Sequence, residues 1–191
     1  MRRLLVVPVI HNHADLGSLA EAVRARYEAD LGPAAWNQRE QAVAKLWNTI
    51  RERIERLHLD YQAVRVYQDG LPVCGHEIEI ARELAAAGSL NHQLVVHLVD
   101  QGATLMGTED PRLLIREYQM HRRQIGRRDA GDLAASCAPD EAASLLEARD
   151  RFIAEQIART LCPGETGLLF LGAAHRVDAL QSFDIEVETL G

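Results

Sequence analysis

Two imidazoles, two carboxylates and one guanidinium carry the chemistry this sequence suggests: His11, His175, Asp69, Glu109 and Arg149. Four of them follow apolar, strand-like runs. Residues 4–9 lead into Ile10-His11-Asn12-His13-Ala14-Asp15, and residues 63–67 into Gln68-Asp69-Gly70. Residues 104–106 lead into Gly107-Thr108-Glu109-Asp110, and residues 168–171 into Gly172-Ala173-Ala174-His175-Arg176. If these runs are parallel strands of one sheet, all four clusters share the edge outside the carboxyl ends of the strands. That edge is where open α/β sheets bind ligands.

Alternate residues of an extended segment share a side, so His11 and His13 face one way and Asn12 the other. Two histidines and a carboxylate such as Asp15 form a donor set for a divalent metal; turn hydrogen bonding by Asn12 and Asp15 is the bland alternative. Across the four clusters, the expected metal ligands are His11, His175 and Glu109, and the expected ion is zinc, manganese or iron. A metal held there lowers the pKa of bound water and polarises a carbonyl. Asp69, Glu109 and Arg149 are the expected catalytic residues. Either carboxylate orients the attacking water, and Arg149 stabilises developing oxyanion charge.

Each assignment has a structural counterpart. Glu109 sits just before a helix start, where the dipole favours negative charge, and Asp110 is the expected cap. Asp69-Gly70 is an ordinary turn dipeptide. Arg149 falls inside the apolar stripe of Leu145, Leu146, Phe152, Ile153 and Ile157, and a buried arginine needs a partner. It either clamps an anionic substrate or makes an ion pair with Asp69 or Glu109. Before His175, Gly172, Ala173 and Ala174 let the backbone turn tightly and leave room beside the imidazole.

Helix signals alternate with the strand-like runs. Ser18-Leu19-Ala20-Glu21 has the form of a capping box, predicting a helix over 19–30 closed by Gly32-Pro33. Val43, Leu46, Trp47, Ile50, Ile54 and Leu57 recur at helical spacing and predict a longer amphipathic helix. Gly88 and Gly102 close helices over 77–87 and 90–101, Asp110-Pro111 opens the next, and a further one runs from Pro139 to residue 161. Residues 185–187 form a short edge strand. The resulting order is β-α-α-β-α-α-β-α-α-β-α-β, in one domain over residues 1–191. Strands separated by helical crossovers imply a three-layer αβα fold around a largely parallel sheet of about five strands.

Composition narrows the function further. A net charge of −7 argues against a general affinity for nucleic acid backbone, and the run His121-Arg122-Arg123 with Arg127-Arg128 reads as a helix-end cluster. No apolar stretch reaches the roughly 20 residues of a membrane span. The apolar start reads as a buried first strand, not a signal peptide, so a cytoplasmic protein is expected. Cys74, Cys137 and Cys162 form no paired motif, and Cys74 reads as a small buried hydrophobe. Dinucleotide, P-loop, zincin and serine-elbow signatures are absent from the sequence. The expected partner is a small molecule or a peptide, with neither nucleic acid nor membrane, and self-association is left open.

Gly172-Ala173-Ala174-His175, Arg149-Asp150-Arg151-Phe152-Ile153-Ala154 and Gly107-Thr108-Glu109 together resemble the superfamily of TraB and Tiki proteins, and more distantly the ChaN and erythromycin-esterase folds. That pattern has Gly-x-x-His after the first and last principal strands, acidic residues after those between, and an Arg-Asp or Arg-Asn helix segment. The chain departs from it at Pro8-Val9-Ile10-His11, with proline in the glycine position, and at Asp69, where glutamate is commoner. The resemblance implies a metal-dependent hydrolase for some relatives. The functional expectation is hydrolysis of a small amide, ester or peptide. Its alternatives are a non-catalytic protein that holds a small acidic ligand through Arg149, and metal-free general acid–base catalysis by His175.

Overall fold

The computed structural model describes residues 1–10, 12–15, 20–129, 139–176, 178, 180 and 183–190. His11, the capping residue Ser18 and Cys137 therefore lie outside the described residues. Strand β1 (Arg3–Val9) is followed by helices α1 (Ala20–Leu31) and α2 (Pro33–Arg56). Strand β2 (Val64–Gln68) leads to α3 (Glu77–Ala86) and α4 (Leu90–Asp100). Strand β3 (Thr104–Met106) leads to α5 (Pro111–Asp129) and α6 (Pro139–Thr160), and β4 (Thr166–Gly172) and β5 (Glu186–Thr189) complete the chain.

Local chemistry sets these boundaries. Gly32 stands between α1 and α2 at φ 86°, a left-handed conformation that a Cβ would strain, and Pro33 supplies a ready helical φ. Ser89 caps α4 by accepting a hydrogen bond from the His92 amide. Asp110 caps α5 likewise, its Oδ1 accepting from the Arg112 amide at 2.8 Å. No regular helix separates β4 from β5 among the described residues, where a turn at 173–174 is followed by short 3-10 geometry.

All strand pairings are parallel, in the order β3-β2-β4-β1-β5. Alternation along the strands divides the apolar side chains between two layers. Leu5, Val7, Val9, Val64, Val66, Leu168 and Phe170 meet α2, α3 and α4, with Trp47 stacked on Phe170 at 6.3 Å between ring centroids. Leu4, Val6, Tyr67, Leu169 and Leu171 meet Ile153 and Ile157 of α6 and Leu161 just beyond it. Burial pushes the Tyr67 hydroxyl up to about 12, against the weaker opposing pull of its hydrogen bond with Thr160. The result is the three-layer αβα architecture with five strands. No described helix is long and apolar enough to cross a membrane.

The topology also says where a ligand belongs. From β2 the chain moves outward to β3, whereas from β4 it moves the opposite way to β5. The adjacent carboxyl ends of β2 and β4 therefore border the crevice at a topological switch point. Asp69 immediately follows one and His175 closely follows the other.

Candidate active site

The turn after β3 is the most tightly held part of this edge. Thr108 and Glu109 both donate their amides to the Leu71 carbonyl, at 2.9 and 3.0 Å, and the Glu109 carbonyl accepts from Val73 at 2.9 Å. Thr108 Oγ1 accepts from the Gln68 amide at 3.0 Å, and the buried Gln156 of α6 donates to the Gly107 carbonyl at 3.0 Å. A Cβ on Gly107 would lie 2.7 Å from Val73 Cα and 2.8 Å from the Pro72 carbonyl oxygen, both backbone atoms. Gly107→Ala is therefore expected to lower stability by about 1–3 kcal/mol. A thermal melt checks this, and an unchanged midpoint would show that the turn yields freely.

That turn delivers Glu109 to Arg149. The carboxylate is fully buried, and it accepts from Arg149 Nε at 2.5 Å and Nη2 at 2.6 Å in a bidentate pair. Its Oε1 also accepts from the Gly70 amide at 2.7 Å, and Arg149 Nη1 reaches Glu117 of α5. Burial works against the charge on Arg149. The hydrogen bonds to Glu109 and the charges of Glu109, Glu117 and Asp69 outweigh it, holding the guanidinium above its ordinary pKa. This is the ion pair foreseen as the alternative to a substrate clamp. With both Glu109 oxygens and all three Arg149 nitrogens engaged, the two residues are committed first to each other and to their neighbours. Their geometry fits positioning: the pair ties β3, α5 and α6 together beneath the edge.

Asp69 serves a different junction. Its Oδ2 accepts from the Gly172 amide at 2.6 Å and its Oδ1 from Gln68 Nε2 at 2.9 Å, clamping the ends of β2 and β4 together. The residue next to Arg149 on α6, Asp150, is the one that the sequence reading left out of the site. Asp150 Oδ1 lies 2.6 Å from His175 Nδ1, and its Oδ2 accepts from the Arg176 amide at 3.1 Å. A carboxylate has only acceptors, so a neutral imidazole here carries its proton on Nδ1, which leaves the Nε2 lone pair available. That Nε2 points toward Asp69, 4.0 Å from Oδ2, which is too long for a direct hydrogen bond. Only 6% of the His175 side chain is exposed. The Arg-Asp segment was the signal for Asp150: adjacent residues on a helix diverge by about 100°, so one can serve Glu109 while the next serves His175.

The loop after β1 is used structurally where it is described. His13 Nε2 lies 3.3 Å from Glu21 and its ring meets Trp36 edge-on, while Asn12 donates to the Gly88 carbonyl at 3.0 Å. Asp15 receives a hydrogen bond from Ser89 Oγ, which is also 2.7 Å from His92 Nδ1. Asp15 and His13 thus join α1, α2 and α4, and His11 lies outside the described residues. Cys74 is exposed, contrary to the buried hydrophobe expected, because it sits in the turn whose amides are capped by Glu77.

A cleft of about 730 Å³ opens beside the dyad, lined by Asp150, Arg151 and Leu146 of α6 and by Ala174 and Arg176 after β4. Among the described residues, no three or more His, Cys, Asp or Glu side chains gather as a metal-holding group. The donor chemistry around His175 nonetheless suits a ligand position, since metal-bound histidines commonly give their other nitrogen to a carboxylate. Set beside known proteins, the chain matches no family model, no curated protein and no solved structure.

Proposed function

We propose that this protein is a hydrolase of small amide, ester or peptide bonds, with His175 as its working group. The observation that carries the reading is the 2.6 Å contact of His175 Nδ1 with Asp150, at the switch point between β2 and β4. A carboxylate-held imidazole fixes its tautomer and stabilises the cation formed when Nε2 takes a proton.

In the sequence that follows, Nε2 removes a proton from water as the water oxygen bonds to the substrate carbonyl carbon. The tetrahedral intermediate then expels the alcohol or amine, and the imidazolium returns the proton to that leaving group. Asp69 Oδ2, 4.0 Å from Nε2, places negative charge beside the same proton path. Arg149 acts at a distance, through Glu109, by fixing α6 and therefore Asp150.

A second reading is metal-assisted hydrolysis, favoured by the pairing of a free Nε2 with a neighbouring carboxylate oxygen. His175 and Asp69 would hold the ion, with His11 as the third ligand drawn from the sequence. Zinc, manganese or iron bound there would acidify a water and polarise the carbonyl. Tetrahedral coordination at about 2.0 Å per bond brings ligand atoms to roughly 3.3 Å, so the His175–Asp69 separation must close slightly.

The test is turnover of a panel of p-nitrophenyl esters and p-nitroanilides, with and without a chelator. Wild-type hydrolysis that disappears in His175→Gln is the expected result, and wild-type rates in that variant would rule the reading out. Activity surviving chelation selects the metal-free route. Activity lost with the chelator and restored by one added ion selects the other.

A further inference from the structure

We infer that the cleft beside His175 seats a small zwitterion, a short peptide with free amino and carboxyl ends. The inference rests on the hydrolase reading only for the fate of that peptide, not for its binding.

The cleft walls carry Glu147 and Arg151 on α6 and Arg176 and Asp178 after β4, with Leu146 and Ala174 among its apolar lining. These four charged residues are exposed, and none of their side chains forms an ion pair or hydrogen bond with another described residue. Glu147 and Arg151 are four residues apart on one helix, with the acid toward the N-terminus. That is the spacing and order that favour pairing. Elsewhere on this surface the same spacing closes, as in Arg24 with Glu28 at 2.9 Å and Arg56 with Glu52 at 3.2 Å. Along the cleft these four charges instead stay apart, and the fifth charged lining residue, Asp150, is engaged by His175 and the Arg176 amide, leaving separate receptors for a carboxylate and an ammonium.

The size agrees: about 730 Å³ falls in the usual range for small-ligand sites and suits two or three residues. Guanidinium groups recognise a terminal carboxylate through charge-assisted hydrogen bonds, and Glu147 or Asp178 does the same for a terminal amine. The short apolar stretch at Leu146 and Ala174 suits small side chains. Asp150 lines the same cleft, so a peptide held by its two ends brings its amide beside the Asp150–His175 pair.

Calorimetric titration of the intact protein with L-alanyl-L-alanine tests the inference, against its N-acetyl, C-amide and doubly capped forms. It is run on the wild type and on His175→Ala, which cannot turn the probe over. Saturable binding is expected, weakened roughly fivefold or more by each cap. Arg151→Gln with Arg176→Gln should erase the penalty of the C-amide, and Glu147→Gln with Asp178→Asn that of the N-acetyl group. Equal affinity for all four probes overturns the inference, and so does the absence of saturable binding to both proteins. Free-dipeptide binding without hydrolysis by the wild type leaves the zwitterion site standing and removes the hydrolase. Hydrolysis that is indifferent to both caps does the reverse.

Discussion

Arg149→Leu is expected to cost about 3–5 kcal/mol of stability, the largest loss of any single substitution at this edge. The reason is the residue left behind. Glu109 is fully buried, and without the guanidinium its charge keeps only the Gly70 amide at 2.7 Å as compensation. Glu117 suffers less because its side chain is 29% exposed and can rehydrate. Adding Glu109→Gln should recover most of the loss, since the neutral amide still accepts from Gly70 and no longer needs a counter-charge. Urea denaturation of the wild type, both single variants and the double variant gives the coupling directly. Additive losses would mean that the two side chains do not depend on each other, and the account of Glu109 as a positioning residue would fall.

The second large effect concerns chemistry. His175→Gln should abolish turnover of the best ester or anilide substrate. Asp150→Asn should lower kcat by about 10²–10⁴-fold, because an amide neither fixes the Nδ1–H tautomer nor stabilises the imidazolium. Asp150 acts through His175, so KM should change little while kcat falls. A loss confined to KM would make Asp150 part of the binding surface alone. Stability separates the two predictions: Arg149→Leu lowers the urea midpoint strongly, whereas Asp150→Asn leaves it close to the wild type.

Much of the scaffold was legible because its signals are local. Asp110-Pro111, Gly88, Gly102 and the spacing from Val43 to Leu57 each report a boundary or a face within a few residues. Their alternation with apolar runs implied the parallel sheet and its shared edge. The unforeseen connection between β4 and β5 follows from its lack of a long amphipathic repeat; Leu180 and Ile185 are its buried apolar anchors among the described residues.

The site was legible only in part, since partner choice depends on distant contacts. Arg149 announced its need for a partner by standing in an apolar stripe, and Glu109 was one of the two named. Nothing local showed that the pairing would be bidentate and would occupy both oxygens. Asp150 was marked only by its place in the Arg-Asp segment, being otherwise an ordinary charged helix residue 25 positions from the histidine it orients. Asp69 looked like a turn residue and a catalytic candidate at once. In the fold it bridges two strand ends and still lies within 4.0 Å of the imidazole.

Central to the account is the tautomer of His175: in its neutral form the proton is on Nδ1 and Nε2 is bare. Nitrogen-15 NMR of the histidine side chains, with His175 identified by comparison with His175→Gln, reads this tautomer directly. The account predicts a protonated, hydrogen-bonded Nδ1 and a lone pair on Nε2, with the Nδ1 proton signal perturbed in Asp150→Asn. A proton on Nε2 in the neutral wild-type protein would contradict it.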